Sequence, residues 1–147
     1  MSDELLVGFL SSAVVRVRRI NYVSPEGVRA SNEGPVEVSL DNGVVFRFES
    51  GADGESLRFA VGELVDPFIE PLSPENRAFV AESGKWTAFD VSSDPSFGRL
   101  IGAQIGDVNL LTASGKVVGI ELVCGSATLR VEVRGDELIV HCGDYAE

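Results

Sequence analysis

The sequence predicts a mainly β protein with minor α: two similar antiparallel four-strand meanders, packed as a sandwich or as paired half-barrels, with one or two short helices. Three observations predict it. Alternation of apolar and polar residues with period two runs through Pro35–Glu63 and again through Lys116–Asp144. Turn signals, among them Asp41-Asn42-Gly43 and Arg134-Gly135-Asp136, punctuate both stretches. Sixteen Gly, with 44% hydrophobic and 24% charged residues in 147, describe a folded, turn-rich chain rather than a disordered one.

Taken in order, Asp3 to Val14 reads as a short helix with Ser2 or Asp3 as N-cap. The β-branched Val14, Val15 and Val17 then favour a strand that ends at Ser24-Pro25-Glu26-Gly27, and residues 27–34 read as an exposed loop. Val36, Val38 and Leu40 alternate with polar neighbours, Asn42-Gly43 suits a type I′ hairpin turn, and Val44, Phe46 and Phe48 point inward. Leu57, Phe59 and Val61 complete the first meander. Ser73-Pro74-Glu75 opens a helix that Gly84 stops, and Trp86 to Val91 follows as a strand.

The second meander repeats the first. Ile105, Val108 and Leu110 align under Val17, Ile20 and Tyr22; Val118, Ile120 and Leu122 under Val36, Val38 and Leu40. Leu129 and Val131 align under Phe46 and Phe48, and Leu138, Val140 and Cys142 under Leu57, Phe59 and Val61. The expected organisation is one compact domain over 1–147, with an internal repeat at 13–65 and 101–147 joined by an acidic, helix-containing segment at 66–100. Each unit alone buries little, so the two pack their apolar faces together.

The net charge of −11 is uneven: residues 31–97 carry thirteen acids and four bases, for −9. Such a field disfavours nucleic acid and anionic membrane and favours a basic protein partner. The short apolar run at the N-terminus lacks a basic leader and carries Asp3 and Glu4, so the expected location is cytoplasmic.

Candidate chemistry is sparse. His141 is the sole histidine, and the adjacent Cys142 points to the opposite face of a strand, so an ordinary sheet-face histidine is the better account. Cys124 and Cys142 suit buried thiols, a disulfide between them being open. With three Cys and His side chains in all, the chain falls short of a four-ligand zinc set, and no cofactor is expected. Arg16 and Arg18 share a strand face and suit an acid patch of the same protein. Trp86, with Phe68, Phe89 and Phe97 near it in sequence, is either an anchor for the linker or an exposed aromatic among acids. In the second case Glu63, Asp66, Glu70, Glu82, Trp86, Asp90 and Asp94 form a partner-binding surface, with no catalytic and no metal-ligating residue assigned.

Both units end alike, in LRFAVG at 57–62 and ELIVHCG at 137–143. In this the chain resembles small bacterial immunity proteins of polymorphic toxin systems. The resemblance implies a compact cytoplasmic protein that neutralises a toxin domain by binding, and it transfers no site residue. The expected function is therefore a non-enzymatic protein-binding module. The alternative is a small-molecule-binding β-protein with its pocket between the sheets. An exposed edge strand in each unit also offers a route to a homodimer.

Overall fold

The computed structural model describes residues 8–30, 33–63, 66 and 68–144. Among the described residues nine strands and one complete α-helix follow in the order β1 (Val14–Val23), β2 (Val36–Leu40), β3 (Val45–Ser50), β4 (Leu57–Val61), α1 (Pro74–Ser83), β5 (Lys85–Asp90), β6 (Ile105–Ala113), β7 (Lys116–Cys124), β8 (Ala127–Arg134) and β9 (Glu137–Asp144). A 3₁₀ turn at Gly98–Leu100 precedes β6. The expected N-terminal helix falls mostly outside the described residues; only Gly8 and Phe9 are helical among them, and Ser11 ends the turn at φ 70°.

Two antiparallel sheets form, ordered β4-β3-β2-β1-β5 and β6-β7-β8-β9. Each is a meander, as alternating segments joined by short turns require. The strand at Trp86 adds a fifth member to the first sheet, pairing with β1 from Arg18↔Asp90 to Val23↔Lys85. Inward residues of both sheets make one core, in which Val38, Phe46, Phe48, Ile120, Leu122 and Val131 are fully buried. Phe9, Phe46, Phe48 and Phe59 stack at centroid distances of 4.4 to 5.8 Å, so aromatic rings fill the space between the sheets. One corner is stitched by backbone bonds, Ser11 N–H to Ile105 O, Ile105 N–H to Ser12 O and Val14 N–H to Ala103 O, at 2.9 to 3.0 Å.

The expected alignment of the two meanders holds pair for pair in their last two strands. Phe46↔Val61 and Phe48↔Phe59 correspond to Leu129↔Cys142 and Val131↔Val140. In the first two strands it slips. A bulge lies between Val14 and Arg16 in β1, and another between Ile105 and Asp107 in β6. Val14 faces Leu40 and Ile105 faces Cys124, so Ile105 corresponds to Val14 rather than Val17, and Cys124 to Leu40. Alternation repeats after any slide of two residues, and a bulge lets an odd slide pass as well. With that correction the outer faces match too: Glu37, Arg47 and Glu49 stand where Glu121, Arg130 and Glu132 stand.

Two local expectations change. The Asp41-Asn42-Gly43 hairpin is a three-residue loop closed by Leu40 N–H to Val44 O, with positive φ at Gly43 alone, and Val44 is exposed. The type I′ geometry occurs instead at Gly135-Asp136, where φ is 53° and 71°. Cys124 and Cys142 are both free. They lie on β7 and β9 with β8 between them, and two strand spacings are ~10 Å, beyond the ~7 Å Cα separation a disulfide spans.

Candidate functional site

The helix α1 is built by its ends. Ser73 Oγ accepts from Asn76 N–H at 3.1 Å, Pro74 starts the first turn, and Gly84 N–H closes on Val80 O. Gly84 takes φ 71°, and a Cβ there would meet Val23 O at 2.3 Å and the Tyr22 hydroxyl at 2.7 Å. Only glycine permits this reversal from α1 into β5. The Tyr22 hydroxyl donates to Ser83 O and fixes the same corner. None of the ten residues of α1 is buried.

The reversal brings four aromatic rings together. Phe68 stacks on Phe79 at 5.4 Å, and Tyr22 tilts against Trp86 at 5.9 Å. With Ser83–Lys85 they line an open groove of about 330 Å³. Phe79 is 51% exposed and Trp86 50%, so the groove offers apolar surface to solvent. Lys85 Nζ donates to Asp66 Oδ2 at 2.8 Å and to Phe68 O at 2.9 Å, pinning the segment before α1 onto β5. Burial pushes the Asp66 carboxyl up, but the Lys85 bond, the Phe68 N–H and the Lys85 charge outweigh it and leave it below its usual range. Glu70 accepts from Leu72 N–H at 3.1 Å and pairs with Arg77 of α1 at 3.3 Å. Glu82 is exposed in the last turn of α1.

The other acids expected around Trp86 belong elsewhere. Glu63 pairs with Arg16 at 2.5 Å, and Asp90 faces Arg18 across β1 and β5. Asp90 sits below its usual range because the Ser92 hydroxyl and N–H bond it, with the Arg16 and Arg18 charges adding to this. Arg16 and Arg18 converge on Glu37, whose side chain has no exposure. Asp94 is exposed in the loop before the 3₁₀ turn, where its backbone carbonyl accepts from Gly98 N–H. The expected surface thus divides into an aromatic groove bordered by Asp66 and Glu70, and a second region where Glu63 pairs with Arg16 and Asp90, bonded by Ser92, lies opposite Arg18 without an ion pair of its own among the described residues. Phe89 and Phe97 also leave the groove: Phe89 lies 3.9 Å below the Arg29 guanidinium, and Phe97 packs on the core.

Sequence reasoning missed Tyr22 and Phe79 as groove residues. The available signal was Phe79 itself, the one aromatic residue in a ten-residue helix whose other apolar residues are small or medium-sized.

His141 is exposed and pairs with Arg130 on the outer face of the second sheet. A shallow hollow of about 270 Å³ there is lined by Arg130, Glu132, Arg134, Ile139 and His141, so its lining among the described residues holds no serine or thiol. The Cys142 thiol turns to the other face and donates to Ser96 O at 2.9 Å. Among the described residues no group of three or more His, Cys, Asp or Glu is placed to hold a metal ion, and no helix is long and apolar enough to cross a membrane.

No protein family, curated protein or solved structure matches this chain.

Proposed function

We propose that this protein is a non-enzymatic protein-binding module that takes its partner on the groove of Tyr22, Phe68, Phe79 and Trp86. One observation carries the reading: a ten-residue helix with no buried residue stands beside four clustered rings, two of them half exposed. A helix that short is marginal on its own, and large apolar surface left open beside it is the mark of an interaction site. Aromatic anchors in such a groove are the usual centres of binding energy. The −9 charge of residues 31–97 favours a basic partner and speeds its encounter. A toxin domain is the partner class that the resemblance to immunity proteins implies.

Against a small-molecule pocket between the sheets stands the filling of that space by Phe9, Phe46, Phe48 and Phe59. The test is co-expression with the product of the neighbouring gene, followed by size-exclusion chromatography and calorimetry. A stoichiometric complex is expected, weakened about 30-fold or more by Trp86→Ser or Phe79→Ser, the loss typical of one hot-spot residue. Failure to form a complex, or a complex indifferent to both changes, would overturn the proposal.

A further inference from the structure

We infer that the free edge of β5 accepts an extended basic segment of the partner as a sixth strand of the first sheet. The inference rests on the protein-binding reading above and specifies how the partner is held.

Val91 N–H donates to Val17 O at 3.0 Å, which sets the phase of the β1–β5 ladder. In an antiparallel pair the bonds alternate, so Lys85, Thr87 and Phe89 turn their backbone groups to β1. Trp86, Ala88 and Asp90 turn theirs outward, and no described residue bonds them. Three donors and three acceptors therefore stand in a row beside the exposed Trp86 ring.

The remaining edges are worse acceptors. Edge strands β4 and β9 lie where the sheets meet, β4 against β7 and β9 against β3. Strand β6 has two register shifts, at Ile105/Asp107 and Leu111/Thr112, and bulges twist an edge away from pairing. Strand β5 pairs with β1 over six consecutive residues without a shift and contains no proline. Among the described residues its edge is regular and unpaired, the form that β-augmentation uses.

The side chains beside that edge select the occupant. Trp86, Ala88 and Asp90 share the outer face. An antiparallel guest therefore meets Asp90 first and Trp86 last, and the favoured pattern is a Lys or Arg four positions before a large apolar residue. A second copy of this chain fits less well: paired about Ala88, it sets Trp86 opposite Asp90, and each copy carries −11.

The probe is the capped peptide Thr-Lys-Thr-Val-Thr-Leu-Thr, titrated into the full chain and followed by amide shifts and hydrogen exchange. The expected result is that the Trp86, Ala88 and Asp90 amides, fast to exchange alone, become protected at roughly millimolar peptide. Ala88→Pro should weaken the peptide at least tenfold, because it removes an outward N–H and no bond to β1, whereas Ala88→Thr should bind as before. Shifts confined to Tyr22, Phe68, Phe79 and the Trp86 ring, with no edge amide protected, would overturn this inference and leave the groove reading standing. No shift at all would overturn it too, the groove then resting on the co-expression test alone. Protection that grows with protein concentration in the absence of peptide would replace the partner segment with a second copy.

Discussion

The Arg18 guanidinium grips the Glu37 carboxylate across β1 and β2 with two hydrogen bonds, 2.6 Å from Nε and 2.8 Å from the terminal nitrogen. The Glu37 side chain has no exposure and Arg18 is 20% exposed, so the pair is held largely out of water. The guanidinium's own pKa is raised, first by this bond. The second sheet carries Asn109 and Glu121 at the corresponding place, joined by one bond of 3.4 Å near the surface. Arg18→Ala takes the two shortest bonds from the buried Glu37 carboxylate and leaves the longer Arg16 contact at 3.7 Å, a loss of about 3 kcal/mol, whereas a single solvent-exposed hydrogen bond is worth about 1 kcal/mol. Arg18→Ala is therefore expected to lower the unfolding free energy several times more than Asn109→Ala, measured by urea denaturation. Equal losses would show that water reaches Glu37.

Acid should weaken the fold through a specific set of carboxylates. Asp53 is held well below the usual range, first by the Ser56 and Glu55 N–H groups and then by the Ser56 hydroxyl and Lys116. Glu132 is lowered by Arg134 and Arg130 against a burial effect, and Asp66 and Asp90 are lowered as described. A group whose pKa is depressed on folding contributes stability above its unfolded pKa, about 4 for Asp and Glu, and loses it as pH falls through the folded value. The urea midpoint should thus be flat above about pH 5 and fall progressively below pH 4. Asp53→Asn should lower the plateau and shallow the acid slope, and an unchanged slope would remove Asp53 from the set.

The thiols should be inert while the protein is folded. Burial, with the nearby Cys142 adding to it, pushes Cys124 up to about 12. Burial also raises Cys142, partly opposed by the Arg99 charge. Alkylation needs the thiolate, which at pH 8 is about one part in ten thousand for a pKa near 12. Iodoacetamide is expected to leave Cys124 unmodified in native protein and to label both cysteines in urea, read by mass spectrometry. Mild oxidation should yield no internal disulfide, because β8 separates the two strands.

How much of this was legible in the sequence depended on range. Local rules sufficed for α1, where Ser73, Pro74 and Gly84 are caps with fixed chemistry, and for Phe46, Phe48 and Phe59, whose alternation names the core face. The register of β1 on β2 was not legible, because the bulge at Val14/Arg16 leaves no mark in an alternating pattern. Nor was the burial of Glu37, which depends on Arg16 and Arg18 converging from the neighbouring strand. The sequence offers Trp86 as a linker anchor or as an exposed aromatic, and the structure has it half exposed, while the acids group with it only by sequence distance. Folding sends Glu63 and Asp90 to the arginines of β1 instead.

Phe46 and Trp86 separate core from binding surface. Phe46 has no exposure and touches the rings of Phe9, Phe48 and Phe59, so Phe46→Ala leaves a cavity and is expected to cost about 3–5 kcal/mol. Trp86 is half exposed, its ring meets Tyr22 alone among the described rings, and its backbone turns outward from the β1 ladder. Its ring also lies over Gly34, so Trp86→Ala should cost less than Phe46→Ala, about 1–2 kcal/mol, with the far-ultraviolet spectrum unchanged. The contrast bears on function, since a ring half open to solvent is one a partner is free to cover. If Trp86→Ala destabilises the chain as much as Phe46→Ala, the groove belongs to the protein's own packing, and the observation behind the binding proposal is gone.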